Sequence, residues 1–259
     1  MKNLIIDIGN SAIKTGFADR KLNKNTCRTI LYSKKKFSEE FTDFLKSFGF
    51  RKMNSGITET GISLVDDSLK DKCRKIIREH LGKEPVFINQ DLELPIKIKY
   101  EKSLGADRIC SAAAANELYK SKHILVIDFG TATTYNIISN GTYAGGIISP
   151  GIETSLNSLI KNTALPYPAN VKKFRLMSQN TNSAILSGVF LSVKYTAEGV
   201  INTLHRKFID LTVVATGGLS LNVTGLVEGI DYYNRFLVLE GINIILNHVT
   251  SVRKSRSEI

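Results

Sequence analysis

Two short segments of the chain are versions of each other. Leu4-Ile5-Ile6-Asp7-Ile8-Gly9-Asn10-Ser11 opens the sequence, and Leu125-Val126-Ile127-Asp128-Phe129-Gly130-Thr131-Ala132 stands near its middle. Each is an apolar, β-branched run followed by Asp, any residue, Gly and a small polar residue. Such a run reads as a buried strand ending in a tight turn. The Asp falls where the strand leaves the core, and the Gly lets a ligand approach the backbone. N–H and hydroxyl groups follow, of the kind that bind phosphate. A carboxylate beside such a turn suggests a magnesium–nucleotide site. Two copies suggest a phosphate clamped between two related halves.

The rest of the chain fits a duplication. The pattern predicts strands at 3–7, 12–18 and 27–32, a helix at 38–48, a strand at 52–58, a helix at 66–81 and a strand at 85–89. A helix follows at 106–120, where the alanines of 112–115 favour that conformation. The second half restarts with strands at 123–128, 134–139 and 143–148. Helices at 151–161 and 181–206 come next, then a strand at 211–215 and a helix or loop near 219–226. A last helix at 234–249 carries Phe236, Leu239, Ile242 and Ile245 on one face. The division predicted is 1–116 and 117–259, without a Pro- or Ser-rich linker.

Composition narrows the function classes. The 259 residues are 42% hydrophobic and 23% charged, as in globular proteins. No apolar run approaches the roughly 20 residues of a membrane helix, and no secretory signal opens the chain. Cys27, Cys73 and Cys110 lack metal-type spacing, which points to a reduced, cytoplasmic setting. The four histidines are scattered, so zinc chemistry and a Ser-His-Asp triad have little support. The net charge of +11 gathers in Lys34–Lys36, Lys70–Arg78 and Arg253–Arg256. These runs lack interleaved aromatics, which favours a solvated surface over a nucleic-acid track.

Three further motifs stand around the repeated turns. Gly105-Ala106-Asp107-Arg108 opens a predicted helix, where a carboxylate is favoured by the helix dipole. Gly145-Gly146-Ile147-Ile148-Ser149-Pro150-Gly151 runs from a strand through a turn into a helix. Thr216-Gly217-Gly218 follows the apolar strand 211–215. Taken alone, each also reads as ordinary turn or cap chemistry. In this order, all five together resemble the type III pantothenate kinases, and the related Bvg accessory factors share the pattern. Secondary matches are Thr163–Pro166 and Asn180-Thr181.

The resemblance implies an α/β fold of two tandem ribonuclease-H-like domains with mixed five-stranded sheets, as in the acetate and sugar kinase, heat-shock ATPase and actin superfamily. It implies transfer of phosphate from ATP to pantothenate, the first step of coenzyme A synthesis. It also implies magnesium, a monovalent cation (potassium or ammonium) and a homodimer. Carried over by position, Asp7, Ile8, Gly9, Asn10, Ser11, Ala12, Ile13 and Lys14 form the first ATP-phosphate loop, with Asp7 at magnesium. Asp107 is the base on the pantothenate hydroxyl. Tyr100, Gly105, Ala106, Arg108 and Thr181 bind pantothenate, and Asp128 binds the monovalent cation. Thr131, Thr216, Gly217 and Gly218 contact ATP.

This chain departs from the pattern in places. Ser11 stands for the usual Thr, and Asn136 for a common Asp. Only four residues separate Tyr100 from Gly105, which bears on whether Tyr100 reaches the pocket. Two alternatives stay open: another phosphotransferase of the superfamily acting on a different hydroxyl or carboxylate, and a non-catalytic regulatory or nucleic-acid-binding relative.

Overall fold

The computed structural model describes residues 2–48, 56–168, 176–218 and 225–257. They form two compact units: 1–118 with 141–143 and 236–259, and 119–140 with 144–235.

The first unit is built on a sheet of order β3-β2-β1-β4-β5. Its strands are β1 (Lys2–Ile8), β2 (Ala12–Ala18), β3 (Leu22–Leu31), β4 (Ile57–Leu64) and β5 (Val86–Phe87). β2 runs antiparallel to β1 and β3, while β4 runs parallel to β1 and β5. Strand side chains alternate between faces. Leu4, Ile6 and Ile8 therefore pack with Phe37, Phe41 and Leu45 of helix α1 (Phe37–Ser47) and Ile77 of α2 (Lys70–Leu81). The opposite face carries Asn3, Ile5 and Asp7 and receives helix α6 (Leu237–Ser257, the last of the chain). Ile5 lies opposite Gly61 of β4, where an added Cβ would stand 2.7 Å from Ile242 of α6. Asn3 Nδ2 donates to Asn247 Oδ1 at 3.2 Å, which ties the same helix to β1.

Helix α3 (Ala106–Leu118) carries the Gly-Ala-Asp-Arg motif, and Ala112 to Ala115 are all buried. Small side chains let another backbone come close. Gly241 of α6 is packed so tightly that an added Cβ would overlap the carbonyl of Cys110. This contact explains why residues 236–259 belong to the first unit, contrary to a single cut after residue 116. Amphipathic periodicity marks a helix but does not say which core it covers.

The second unit repeats the topology. Its strands are β7 (His123–Phe129), β8 (Ala132–Ser139), β9 (Thr142–Pro150), β10 (Leu211–Thr216) and β11 (Tyr232–Tyr233). The whole sheet has six strands, in the order β11-β10-β7-β8-β9-β6. The sixth, β6 (Lys97–Ile98), pairs with Thr142 and Tyr143, and all four residues belong to the first unit. β7 is antiparallel to β8 and parallel to β10, as β1 is to β2 and β4. Leu125, Ile127 and Phe129 pack on Val193, Ala197 and Ile201 of α5 (Thr181–Lys207). Helix α4 (Ile152–Lys161) adds Leu156 against Ile185, Leu186 and Val189.

Some sequence expectations need correction. The strand predicted at 52–58 is β4 at 57–64, because Gly61 is required by Ile242 and does not break it; residues 51–55 lie outside the described ones. β3 starts five residues earlier than its predicted start at 27, and β5 keeps only two residues. Helix α5 is long and apolar enough to cross a membrane by length and composition, contrary to the reading that no stretch is. It nonetheless contributes Val193, Ala197 and Ile201 to a core. The element predicted near 219–226 falls largely outside the described residues.

Candidate active site

In the first unit the site starts with the β1–β2 hairpin. The Gly9 amide donates to the Ala12 carbonyl at 3.0 Å, which closes the turn. The Tyr32 hydroxyl donates to the Gly9 carbonyl at 2.8 Å and its amide to the Ser11 carbonyl at 3.2 Å, so the tip is held from outside. Asn10 and Ser11 are exposed there, while Ile8 and Ile13 anchor the two stems in the core. Asp7 faces Lys14 across the hairpin, and the Lys14 ammonium lies 3.5 Å from Asp7 Oδ2. Asp7 is buried, and its Oδ1 has no hydrogen-bond partner. A buried carboxylate oxygen in that state is costly. It is also the donor a hard divalent cation takes, so the residue fits magnesium. Among the described residues no cluster of three or more His, Cys, Asp or Glu exists.

Asp107 stands in the first turn of α3. The Arg108 amide donates to its Oδ1 at 2.8 Å, and Gly105 leaves room for this bend: a Cβ there would lie 2.7 Å from the same oxygen. Ala106, beside it, is buried in the wall of the unit. Burial pushes the Asp107 carboxyl above the ordinary carboxylate value, and the Asp7 charge pushes it the same way. The Arg108 amide and guanidinium oppose the shift. Burial likewise holds the Cys110 thiol well above its usual value, with Asp7 and Asp107 adding to it. The charge of Asp7 is thus felt at Asp107.

Arg108 is itself buried, and its Nη2 donates to the Tyr143 hydroxyl at 2.6 Å. The Tyr100 ring lies edge-on to Tyr143 with centres 5.7 Å apart, and the guanidinium sits 5.5 Å from the Tyr100 centre. The short segment before Gly105 therefore still delivers Tyr100 to Arg108. Gln90 explains how: its Oε1 accepts from the Leu104 amide at 3.0 Å and its Nε2 reaches the Tyr100 carbonyl at 3.5 Å, closing the segment at both ends. Neither Gln90 nor Tyr143 stood out in the sequence. Tyr143 looked like one more apolar position of a strand. Its place just before Gly145-Gly146 is the signal that could have marked it.

In the second unit the β7–β8 turn repeats the first hairpin, with the Gly130 amide donating to the Ala132 carbonyl at 3.2 Å. Asp128 pairs with Thr134 on one side and Thr216 on the other. Gly217 follows at φ +104°, and a Cβ there would lie 2.5 Å from both Asp128 Oδ1 and the Phe129 carbonyl oxygen. A side chain at 217 would crowd both oxygens, so glycine is required there; a carboxylate and a carbonyl oxygen are the donor types that an alkali cation takes. Gly218 continues the chain with no atom near its missing side chain. The Thr131 carbonyl accepts from the Gly151 amide at 3.1 Å and from Thr154 Oγ1 at 2.6 Å, which seats α4 on this turn. Asn136 is fully buried and its Nδ2 donates to Thr134 Oγ1 at 3.1 Å, so the amide is engaged where an Asp would carry charge.

Within the second unit, Thr181 lines a different surface from Asp128 and Thr216. It is the exposed first residue of α5, after Asn180, whose Oδ1 accepts from the Ser183 amide at 2.9 Å as an N-cap. It lines a groove of about 800 Å³ with Ser155, Leu159, Gln179 and Ile185, to which neither Asp128 nor Thr216 contributes.

A crystal structure of a Baf family transcriptional activator from Campylobacter jejuni superposes with a TM-score of 0.59 at 22% identity, covering 96% of this chain and 99% of that one. The ROK hexokinase of Thermus thermophilus gives 0.53 at 15% identity, over 96% and 100% of the two chains. Component A of the Acidaminococcus fermentans (R)-2-hydroxyglutaryl-CoA dehydratase gives 0.56 at 13%, over 97% and 98%. These likenesses establish the fold. In sequence, the type III pantothenate kinase of Christiangramia forsetii is 33% identical over 249 residues, 94% of this chain and 97% of its own. A family model described as type III pantothenate kinase matches residues 3–203. The chain belongs to the type III pantothenate kinase family.

Proposed function

We propose that the chain transfers the γ-phosphoryl group of ATP to the hydroxyl of pantothenate, giving 4′-phosphopantothenate and ADP, with Asp107 as the proton acceptor. The observation that carries this reading is the Asp107 carboxyl at the start of α3, held above its usual range by burial and by the charge of Asp7, a buried carboxylate with an unpartnered oxygen. Phosphoryl transfer asks little covalent chemistry of the protein; it needs alignment and charge stabilisation. Asp107 would accept a hydrogen bond from the pantothenate hydroxyl, orient it toward the γ-phosphorus and take its proton late. A raised carboxyl suits that task better than an ordinary one, because basicity grows with pKa. The Asn10 to Lys14 segment would meet the phosphates, with Lys14 turning from Asp7 to a phosphate oxygen. Magnesium, when bound, neutralises charge building on the phosphates; Asp7 would hold it. Asp128 and the Phe129 carbonyl would hold potassium or ammonium, and Thr131 and Thr216–Gly218 would contact ATP. Arg108, Tyr100, Gly105 and Thr181 would bind pantothenate. The family resemblance adds a homodimer and a cytoplasmic setting.

The test is Asp107→Asn. Turnover should fall by about 100-fold or more, with the circular-dichroism spectrum unchanged. Wild-type turnover in this variant sinks the assignment of the base.

A further inference from the structure

A buried guanidinium is tolerated only when its donors are used. Arg108 is 7% exposed and spends one N–H on the Tyr143 hydroxyl, at 2.6 Å. The guanidinium carbon lies 5.5 Å from the Tyr100 ring centre and 5.8 Å from that of Tyr143, within reach of a cation–π interaction with each. The two tyrosines differ in kind. Tyr100 is 39% exposed. Tyr143 is fully buried, and its backbone is pinned: it pairs with Ile98 in β6, and its carbonyl accepts from the Lys99 amide at 3.0 Å. Tyr143 is therefore the fixed point of the cluster. A tyrosine has only two side-chain torsions, so a pinned backbone places its hydroxyl closely.

We infer that Tyr143 is a positioning residue whose hydroxyl sets the plane of the Arg108 guanidinium, so that Arg108 meets the negatively charged end of the acceptor and the site prefers a carboxylate over a neutral group. The inference rests on the reading of Gly105–Arg108 as the acceptor site. Recognition of a carboxylate by arginine is planar and bidentate, so it depends on the orientation of the fork more than on its charge alone. Removing the hydroxyl keeps the ring, its packing and its cation–π contact. It removes the 2.6 Å bond that fixes the fork on this side, and the match to the carboxylate weakens. A neutral acceptor, which does not use that match, loses little.

The experiment compares wild type, Tyr143→Phe, Arg108→Lys and the double variant. Each is tested with pantothenate and with its carboxamide, by initial rates and by calorimetric titration of the acceptor. Tyr143→Phe should raise KM for pantothenate roughly ten-fold, the size of a lost hydrogen bond to a charged group. KM for the carboxamide, KM for ATP and kcat should each stay within about two-fold, as a positioning role requires. Arg108→Lys should lose the same preference, and the double variant should bind pantothenate no more weakly than Arg108→Lys alone. Equal loss for both acceptors, no loss for either, or additive effects in the double variant overturns the inference. A wild-type enzyme that does not prefer pantothenate over its carboxamide refutes the acceptor-site reading itself. Wild-type preference that persists in Tyr143→Phe refutes only the role of Tyr143.

Discussion

Gly217→Ala places a methyl group against the proposed cation site from the side where glycine now leaves space. The added Cβ would stand 2.5 Å from Asp128 Oδ1 and 2.5 Å from the Phe129 carbonyl oxygen, while ordinary contact begins at 3.4 Å. Each oxygen must therefore give by about 0.9 Å, the difference of those two distances. The Phe129 oxygen belongs to the backbone of a central strand and resists; the Asp128 carboxylate turns more readily. The φ of +104° is a second obstacle, one that side chains rarely adopt. Holding a non-glycine residue in such a region costs about 1–3 kcal/mol. At roughly 2–4 °C per kcal/mol for a domain of this size, the melting temperature should fall by about 2–12 °C. The functional effect should be selective. Potassium activation of acceptor-dependent ADP release should need at least about ten-fold more cation, since one ligand of the pair is turned away, while KM for pantothenate holds. Wild-type melting together with a wild-type potassium curve refutes the argument, because it means the glycine is not keeping Asp128 in place.

Three further outcomes follow from the packing and the charges. Burial and the Asp7 charge favour protonated Asp107 in the folded protein, so its native pKa lies above the 3.8 of a free carboxyl. Such a group adds stability at pH below 3.8 and loses it as pH rises through the native value. Asp107→Asn, melted without nucleotide or divalent cation, should therefore be more stable than wild type at pH 7–8, and the gain should vanish toward pH 4; a gain that grows on acidification contradicts the sign. Gly241→Ala drives a methyl into the Cys110 carbonyl, so calorimetry should show a loss of at least about 1–3 kcal/mol, and turnover should fall with it because α3 carries Asp107. Gln90→Ala unties the segment 100–104 at both ends and should raise KM for pantothenate several-fold without changing KM for ATP.

The parts of the site that were legible in the sequence are those with local causes. An apolar run ending in Asp-x-Gly announces a strand and its turn, and both hairpins close as expected, Gly9 on Ala12 and Gly130 on Ala132. The Gly105–Arg108 motif opens a helix because glycine clears the space into which Asp107 folds back. What was not legible depends on partners far away in the chain. Nothing local in Gly61 or Gly241 says that Ile242 or the Cys110 carbonyl will arrive there, yet these contacts decide where β4 runs and which unit keeps the last helix. An isolated glycine within an apolar helix is a hint of close packing, but it does not name the partner. Tyr143 and Gln90 were silent for the same reason: a strand tyrosine and a loop glutamine acquire meaning only when Arg108 and Tyr100 meet them.

The most direct measurement is ADP release by the purified chain with ATP and magnesium, with and without pantothenate, with the product identified by mass. ADP should appear only when pantothenate is present, with one 4′-phosphopantothenate formed per ADP. ADP release that ignores pantothenate, or none under either condition, would contradict the account.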